Sequence, residues 1–161
     1  NVDESQISEN ITPKKYCMQL AALKAKNISD INYSSTVIGA DTIVVINNKI
    51  LNKPKNTKDA ENMLNMLSNN THKVITGVSI KNRALNINHT FYDTSSVIFY
   101  KLSNEEIRKY IDIYRPLDKS GSYGIQDGSA IFVKSITGSY ENIMGFPISK
   151  FYQFIKKNNF I

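Results

Sequence analysis

The stretch that most constrains this chain is Val37-Ile38-Gly39-Ala40-Asp41-Thr42-Ile43-Val44-Val45-Ile46. Apolar side chains run on without alternation, which predicts a strand covered on both faces. Asp41 lies inside that run. An ionised carboxylate loses its hydration there, and burial alone can raise an acid's pKa by up to about 3–5 units unless a cation or donors offset it. The strand is therefore expected to open at Asp41 into a polar cleft. Just downstream, Ile50-Leu51-Asn52-Lys53-Pro54 holds a lysine in a short element stiffened by proline. Acid, turn and lysine mark the expected centre of chemistry.

The 161 residues suffice for one domain with a real core, and 41% hydrophobic and 21% charged residues fit a soluble globular chain. The formal charge of +6 favours an anionic partner. Lysines are scattered, paired only at Lys14-Lys15 and Lys156-Lys157. A small anion in a pocket suits this pattern as well as a long polyanion does. Cys17 is the single cysteine, so no intramolecular disulfide can form and a reducing, cytoplasmic setting is expected. No apolar run approaches the ~18 residues of a spanning helix, and no signal peptide opens the chain, so no membrane partner is expected. The chain starts without methionine at Asn1-Val2-Asp3-Glu4, and an upstream segment is expected to precede it.

Thr12-Pro13 predicts a cap and first turn for a helix reaching about Ile28, with Tyr16, Cys17, Leu20, Ala21 and Ile28 on one stripe. Lys24 borders that stripe, where a lysine usually snorkels to solvent. Asn47-Asn48 predicts a tight hairpin after the buried strand. Thr57 is expected to cap a second helix, Lys58 to about Ser68. Val74, Thr76, Val78 and Ile80 have strand period, and residues 86–102 predict one or two more strands. Ser103-Asn104-Glu105-Glu106 is a capping box for a third helix ended by Arg115-Pro116. A polar loop follows over residues 118–128, then a strand from Ala130 to Ile136, and a last helix after Pro147 with Ile148, Phe151, Phe154 and Ile155 on its apolar face. Interspersed strands and helices predict an α/β domain with a mixed sheet.

His72 and His89 lie far apart with no i,i+4 partner, which argues against an imidazole metal site. A hard cation held by Asp41 with Glu4 or Glu9, water and a substrate phosphate stays open and would suit magnesium. The Lys119–Gly128 loop could present backbone N–H groups to phosphate, although no Walker A spacing occurs. Nucleic acid is the competing anion. The aromatics fall mostly on predicted core faces, and no aromatic RNA-binding strand stands out.

Several blocks carry a resemblance. Gly39-Ala40-Asp41-Thr42-Ile43-Val44 with Asn52-Lys53-Pro54, the stretch from Leu67-Ser68 to Gly77-Val78, Asp118-Lys119-Ser120-Gly121-Ser122-Tyr123-Gly124-Ile125-Gln126 and residues 138–147 resemble, in order, the Maf family of nucleotide pyrophosphatases. Asp3-Glu4 and Leu20-Ala21-Ala22-Leu23-Lys24-Ala25 match two more family positions. The resemblance implies an inosine-triphosphatase-like α/β fold, a mixed sheet flanked by helices, with two lobes around a central cleft. It implies hydrolysis of a nucleoside triphosphate to the monophosphate and pyrophosphate with a divalent cation, Mg2+ or Mn2+. Thr42 and Gln126 resemble the branch that acts on dTTP and UTP, modified pyrimidine nucleotides included.

Carried over residue by residue, the resemblance makes Asp41 the general base and a metal ligand, and Glu4 a second metal ligand. Lys24, Lys53 and Lys119 would neutralise the triphosphate, and Thr42 and Gln126 would read the pyrimidine edge. Lys24 thereby gains a role that its spacing alone does not suggest. The family's N-terminal Ser-x-Ser-Pro-Arg-Arg loop has no counterpart here. The expectation is one Maf-like domain, residues 1–161, lacking its first strand and that phosphate loop, with weak turnover. Asn52 stands where glycine is usual, and Ser120 where alanine is. A homodimer stays compatible with the resemblance. The alternative function is a catalytically weak regulatory or binding module in cell-division control.

Overall fold

The computed structural model describes residues 6–7, 11–158 and 160, so Glu4 and Glu9 lie outside the described residues. Helix α1 spans Pro13–Ser29, and strand β1 spans Val37–Ile46. Strand β2 (Lys49–Leu51), helix α2 (Thr57–Leu67) and the long strands β3 (Thr71–Asn82) and β4 (Ile87–Phe99) follow. Helix α3 (Asn104–Tyr114), strand β5 (Val133–Thr137) and helices α4 (Tyr140–Met144) and α5 (Ile148–Lys157) complete the chain. The strands form one sheet in the order β2-β1-β3-β4-β5.

The chain is α/β, as expected, but every strand pair among the described residues is antiparallel, where a mixed sheet was expected. The reason is topological. Both β2 and β3 pair antiparallel to β1, one on each side. The α2 connection thus crosses over β1, and the two strands that share a direction never touch.

Packing on both faces explains the apolar run. Ile43 and Val45 join Tyr16, Cys17 and Leu20 of α1 in one cluster, whereas Val44 and Ile46 join Met63, Leu64 and Leu67 of α2 and Ile107 and Ile111 of α3 in another. Each fully buried Leu or Ile contributes about 1.5–3 kcal/mol of transfer free energy. Before Ile43 the cover thins, and Ile38 is 47% exposed.

Helix α1 lies unusually close to the sheet because two glycines face it. A Cβ at Gly39 would sit 2.5 Å from the Ala21 carbonyl oxygen, and one at Gly77 would sit 2.6 Å from that of Cys17. Asp41 pairs across the sheet with Gly77. The Cys17 thiol fills the remaining gap, within hydrogen-bond reach of the Asp41 and Ile75 carbonyls at 3.1 and 3.2 Å, and accepts the Gly77 N–H at 3.0 Å. Burial, helped by the Asp41 charge, pushes that thiol up to about 12. As the helical pattern suggested, Cys17 is a packing residue and remains a thiol at ordinary pH.

Local signals largely act where expected. Thr12 caps α1, Asn47 and Asn48 both adopt positive φ in the β1–β2 turn, and Ser103 with Glu106 closes a capping box. Two boundaries differ. Asn56, not Thr57, caps α2, its side chain accepting from the Asp59 N–H at 2.9 Å. Strand β5 starts only at Val133, because Asp127 caps a 3-10 turn over Gly128–Phe132 by accepting the Ser129 N–H at 2.9 Å. Residues 87–99 form a single strand, one of the two alternatives expected. Residues 140–144, for which the sequence predicts no element, form the short helix α4, capped by Ser139 and ended by left-handed Gly145. Helix α5 carries its expected apolar face, yet none of its residues is fully buried; Phe154 stacks on Phe91 of β4 at 4.7 Å. Among the described residues no helix is long and apolar enough to cross a membrane.

Candidate functional site

Where the cover over β1 thins, a cavity of about 660 Å³ opens, within the range of small-molecule sites. Lys24, Asp41, Thr42, Lys53, Lys119 and Gln126 all line it. These six come from α1, β1, the segment after β2 and the loop after α3, so no local sequence pattern could have joined them. Glu4 lies outside the described residues, and its metal role is not placed.

Asp41 is the most enclosed of the ion-paired charges among the described residues, its side chain 12% exposed, and its partner is Lys24 of α1. The close glycine-mediated seating of α1 delivers that ammonium. A carboxylate removed from water needs such compensation, since an isolated buried charge costs several kcal/mol (roughly) even after relaxation. Lys24 thus points into the cavity, against the snorkelling expectation from spacing. Thr42 follows Asp41, but its hydroxyl is tied into the wall, 2.9 Å from the Thr76 hydroxyl and 3.5 Å from the Gly145 carbonyl oxygen.

The opposing wall is the loop after α3. Left-handed Arg115 and buried Pro116 end that helix and turn the chain to Asp118 and Lys119. Gly121 has φ +69°, and a Cβ there would sit 2.9–3.0 Å from Val44, so glycine is required on both counts. The loop is stapled to the sheet by the Ser120 hydroxyl donating to the Thr42 carbonyl (3.1 Å) and by Gly121 N–H donating to the Asn52 carbonyl (3.3 Å). Lys119 donates to the Asp118 carboxylate at 3.1 and 3.2 Å and holds that acid below its usual range, with Lys53 adding to the pull. Gln126 is exposed at the cavity surface.

Two lining residues escaped the sequence reading. Asp127 is bound by the Tyr110 hydroxyl at 3.1 Å, and Tyr114 ends α3 over the cavity. Only the polar Gln-Asp-Gly run hinted at the first, and the second lies on the helical stripe of Ile107, Tyr110 and Ile111, which marks packing and not a cavity wall. With Asp127 included, three lysines face three aspartates around the cavity, so its side-chain charges nearly cancel.

Among the described residues no three His, Cys, Asp or Glu converge as a metal cage. The donor set still suits a magnesium-type ion, which keeps most of its waters and takes one or two carboxylates plus substrate phosphates. Asp41, Asp118 and Asp127 are the carboxylates that line the cavity.

A strand-borne carboxylate thus shares one cavity with three lysines at the mouth of an α/β sheet. The chain belongs to the Maf-like protein family, whose model matches residues 1–158. A dTTP/UTP pyrophosphatase of Bacillus pumilus strain SAFR-032 is 45% identical over 147 residues, 91% of this chain and 77% of that protein. A dTTP/UTP pyrophosphatase of Bacillus cereus strain Q1 is 42% identical over 159 residues, 96% of this chain and 82% of its own length.

Proposed function

We propose that this protein hydrolyses dTTP and UTP to the monophosphate and pyrophosphate. The observation that carries the proposal is that Asp41, its ion-pair partner Lys24, Lys53 and Lys119 line one cavity, in a chain similar over nearly its whole length to dTTP/UTP pyrophosphatases. Asp41 accepts a proton from water as its oxygen bonds to phosphorus of the α–β anhydride. The bond to the bridging oxygen breaks, and pyrophosphate leaves. Lys53 and Lys119 hold phosphate charge, and Lys24 can turn from Asp41 to a phosphate oxygen as substrate enters, releasing the carboxylate to act as base. General-base help supplies about 10²–10⁴-fold, and stabilisation of the charge that develops on phosphate oxygens supplies the rest.

Because the lining charges nearly cancel, a polyanionic substrate needs further cations. Asp41, together with Glu4, would hold Mg2+ or Mn2+. Bound there, the ion would neutralise phosphate charge. The same proposal includes an inosine-triphosphatase-like fold with β1 and the residue 118–128 loop on opposing lobes, a cytoplasmic setting and pyrimidine reading by Thr42 and Gln126.

The test is pyrophosphate release from a panel of nucleoside triphosphates with magnesium. Preference for dTTP and UTP, lost in Asp41→Asn, is the expected result. No release from any nucleotide, with Asp41→Asn indistinguishable from wild type, would shift the reading to a binding module in division control.

A further inference from the structure

We infer that Tyr114 is a stacking platform for the substrate's nucleobase. The inference rests on the pyrimidine nucleotide reading above and adds a residue that neither the sequence motifs nor the family resemblance supplies.

Tyr114 is the last residue of α3, lines the same cavity as Asp41 and Gln126, and is 45% exposed. Its position is fixed from two sides. The ring stacks on Tyr110, one helical turn earlier, with centroids 5.2 Å apart and planes at 27°. Tyr110 is itself anchored, donating to Asp127 at 3.1 Å and accepting the Gly124 N–H at 3.3 Å. At Gly128 a Cβ would fall 2.3–2.6 Å from Cε2, Cζ and the hydroxyl oxygen of Tyr114, so the absence of a side chain there makes room for the phenol.

Gln126 and Gly128 belong to one short run, so the residue read as contacting the base edge and the residue seating the ring move together. A pyrimidine offers a π-face as well as an edge. A ring held in place before binding loses little entropy when the base arrives. Stacking of a base on an aromatic side chain is worth about 1–3 kcal/mol by alanine substitution and is indifferent to which base is bound. Tyr114 therefore adds affinity for the nucleoside end, and discrimination is left to groups that meet the base edge.

The test separates the two ends of the substrate. Binding of UMP and of inorganic pyrophosphate is measured by calorimetry for wild type, Tyr114→Ala and Tyr114→Phe, with KM and kcat for UTP alongside. Tyr114→Ala should weaken UMP about tenfold, within the stacking range. It should leave pyrophosphate affinity and kcat within about twofold and raise KM for UTP to match the UMP loss. Tyr114→Phe should bind as wild type does. Unchanged UMP binding in Tyr114→Ala, or equal loss of UMP and pyrophosphate, overturns the stacking role. Wild-type turnover of purine nucleotides in place of dTTP and UTP overturns the pyrimidine reading instead. The alanine–phenylalanine contrast is then read with that purine monophosphate and still decides on stacking.

Discussion

Two lysine–aspartate pairs face the same cavity and differ in almost every physical respect. Lys24 and Asp41 join α1 to β1 with side chains 35% and 12% exposed. Lys119 and Asp118 are chain neighbours at 36% and 73% exposure. Both lysines line the cavity, but only Asp41 is enclosed enough for its partner to matter to folding. Burial decides whether an ion pair is part of the architecture or a solvated convenience.

The difference can be broken most forcefully at Asp41. Asp41→Asn keeps the shape and removes the base, so kcat for UTP should fall by about 10²–10⁴-fold, whereas Asp118→Asn should leave it within about threefold. Steady-state pyrophosphate release decides between them.

Any acid titration of the two pairs runs over a background set by His72. This residue is buried against Phe99 and Tyr123, its Nε2 2.7 Å from the Tyr123 hydroxyl, and desolvation lowers its pKa from 6.5 to about 4. Between those values the unfolded chain takes up a proton that the folded chain refuses. Stability is therefore full above pH 6.5 and lost as pH falls toward 4, by about 3 kcal/mol in total. Urea unfolding at pH 7 and pH 4.5 should show the loss, and His72→Gln should flatten that part of the pH profile.

A third expectation concerns stability at neutral pH. Lys24→Met should destabilise by about 1–3 kcal/mol, less than the ~3–5 of a fully buried pair because Lys24 is partly exposed. Adding Asp41→Asn should restore part of that stability and none of the activity. The smallest effect falls on Lys119→Met. Its unfolding midpoint should match wild type within about 0.5 kcal/mol while KM for UTP rises. A Lys119→Met loss as large as that of Lys24→Met would erase the distinction between the pairs.

The two pairs also show how far a sequence speaks. Asp118-Lys119 is legible because its partners are adjacent. Asp41 was legible as an anomaly in an apolar run, and β1, the Asn47-Asn48 turn and the Ser103 box followed from short-range rules. Lys24 was not legible from spacing, because helical period places a residue on a stripe border and says nothing of a carboxylate brought up by the sheet. The antiparallel order escaped for the same reason: crossover helices are local, but the strand that a crossover skips is not. Strand β5 was begun too early because Asp127 diverts the backbone into a capped turn, a competition that hydrophobic pattern alone does not register. Tyr114 continues the Ile107, Tyr110, Ile111 stripe of α3, but that period marks only a packing face, and only folding sets the ring against Gly128.

The seating of α1 on Gly39 and Gly77 has a consequence for how freely this molecule can vary. The distance between the Lys24 ammonium and Asp41 is gauged by two hydrogens where other residues carry a methyl group. Alanine at either position would act as a wedge, lifting the helix and detuning the Lys24–Asp41 charge pair, with no change to any polar atom. Sites of this kind are fragile to drift at positions that look inert, and loss of function there would be mistaken for a folding defect.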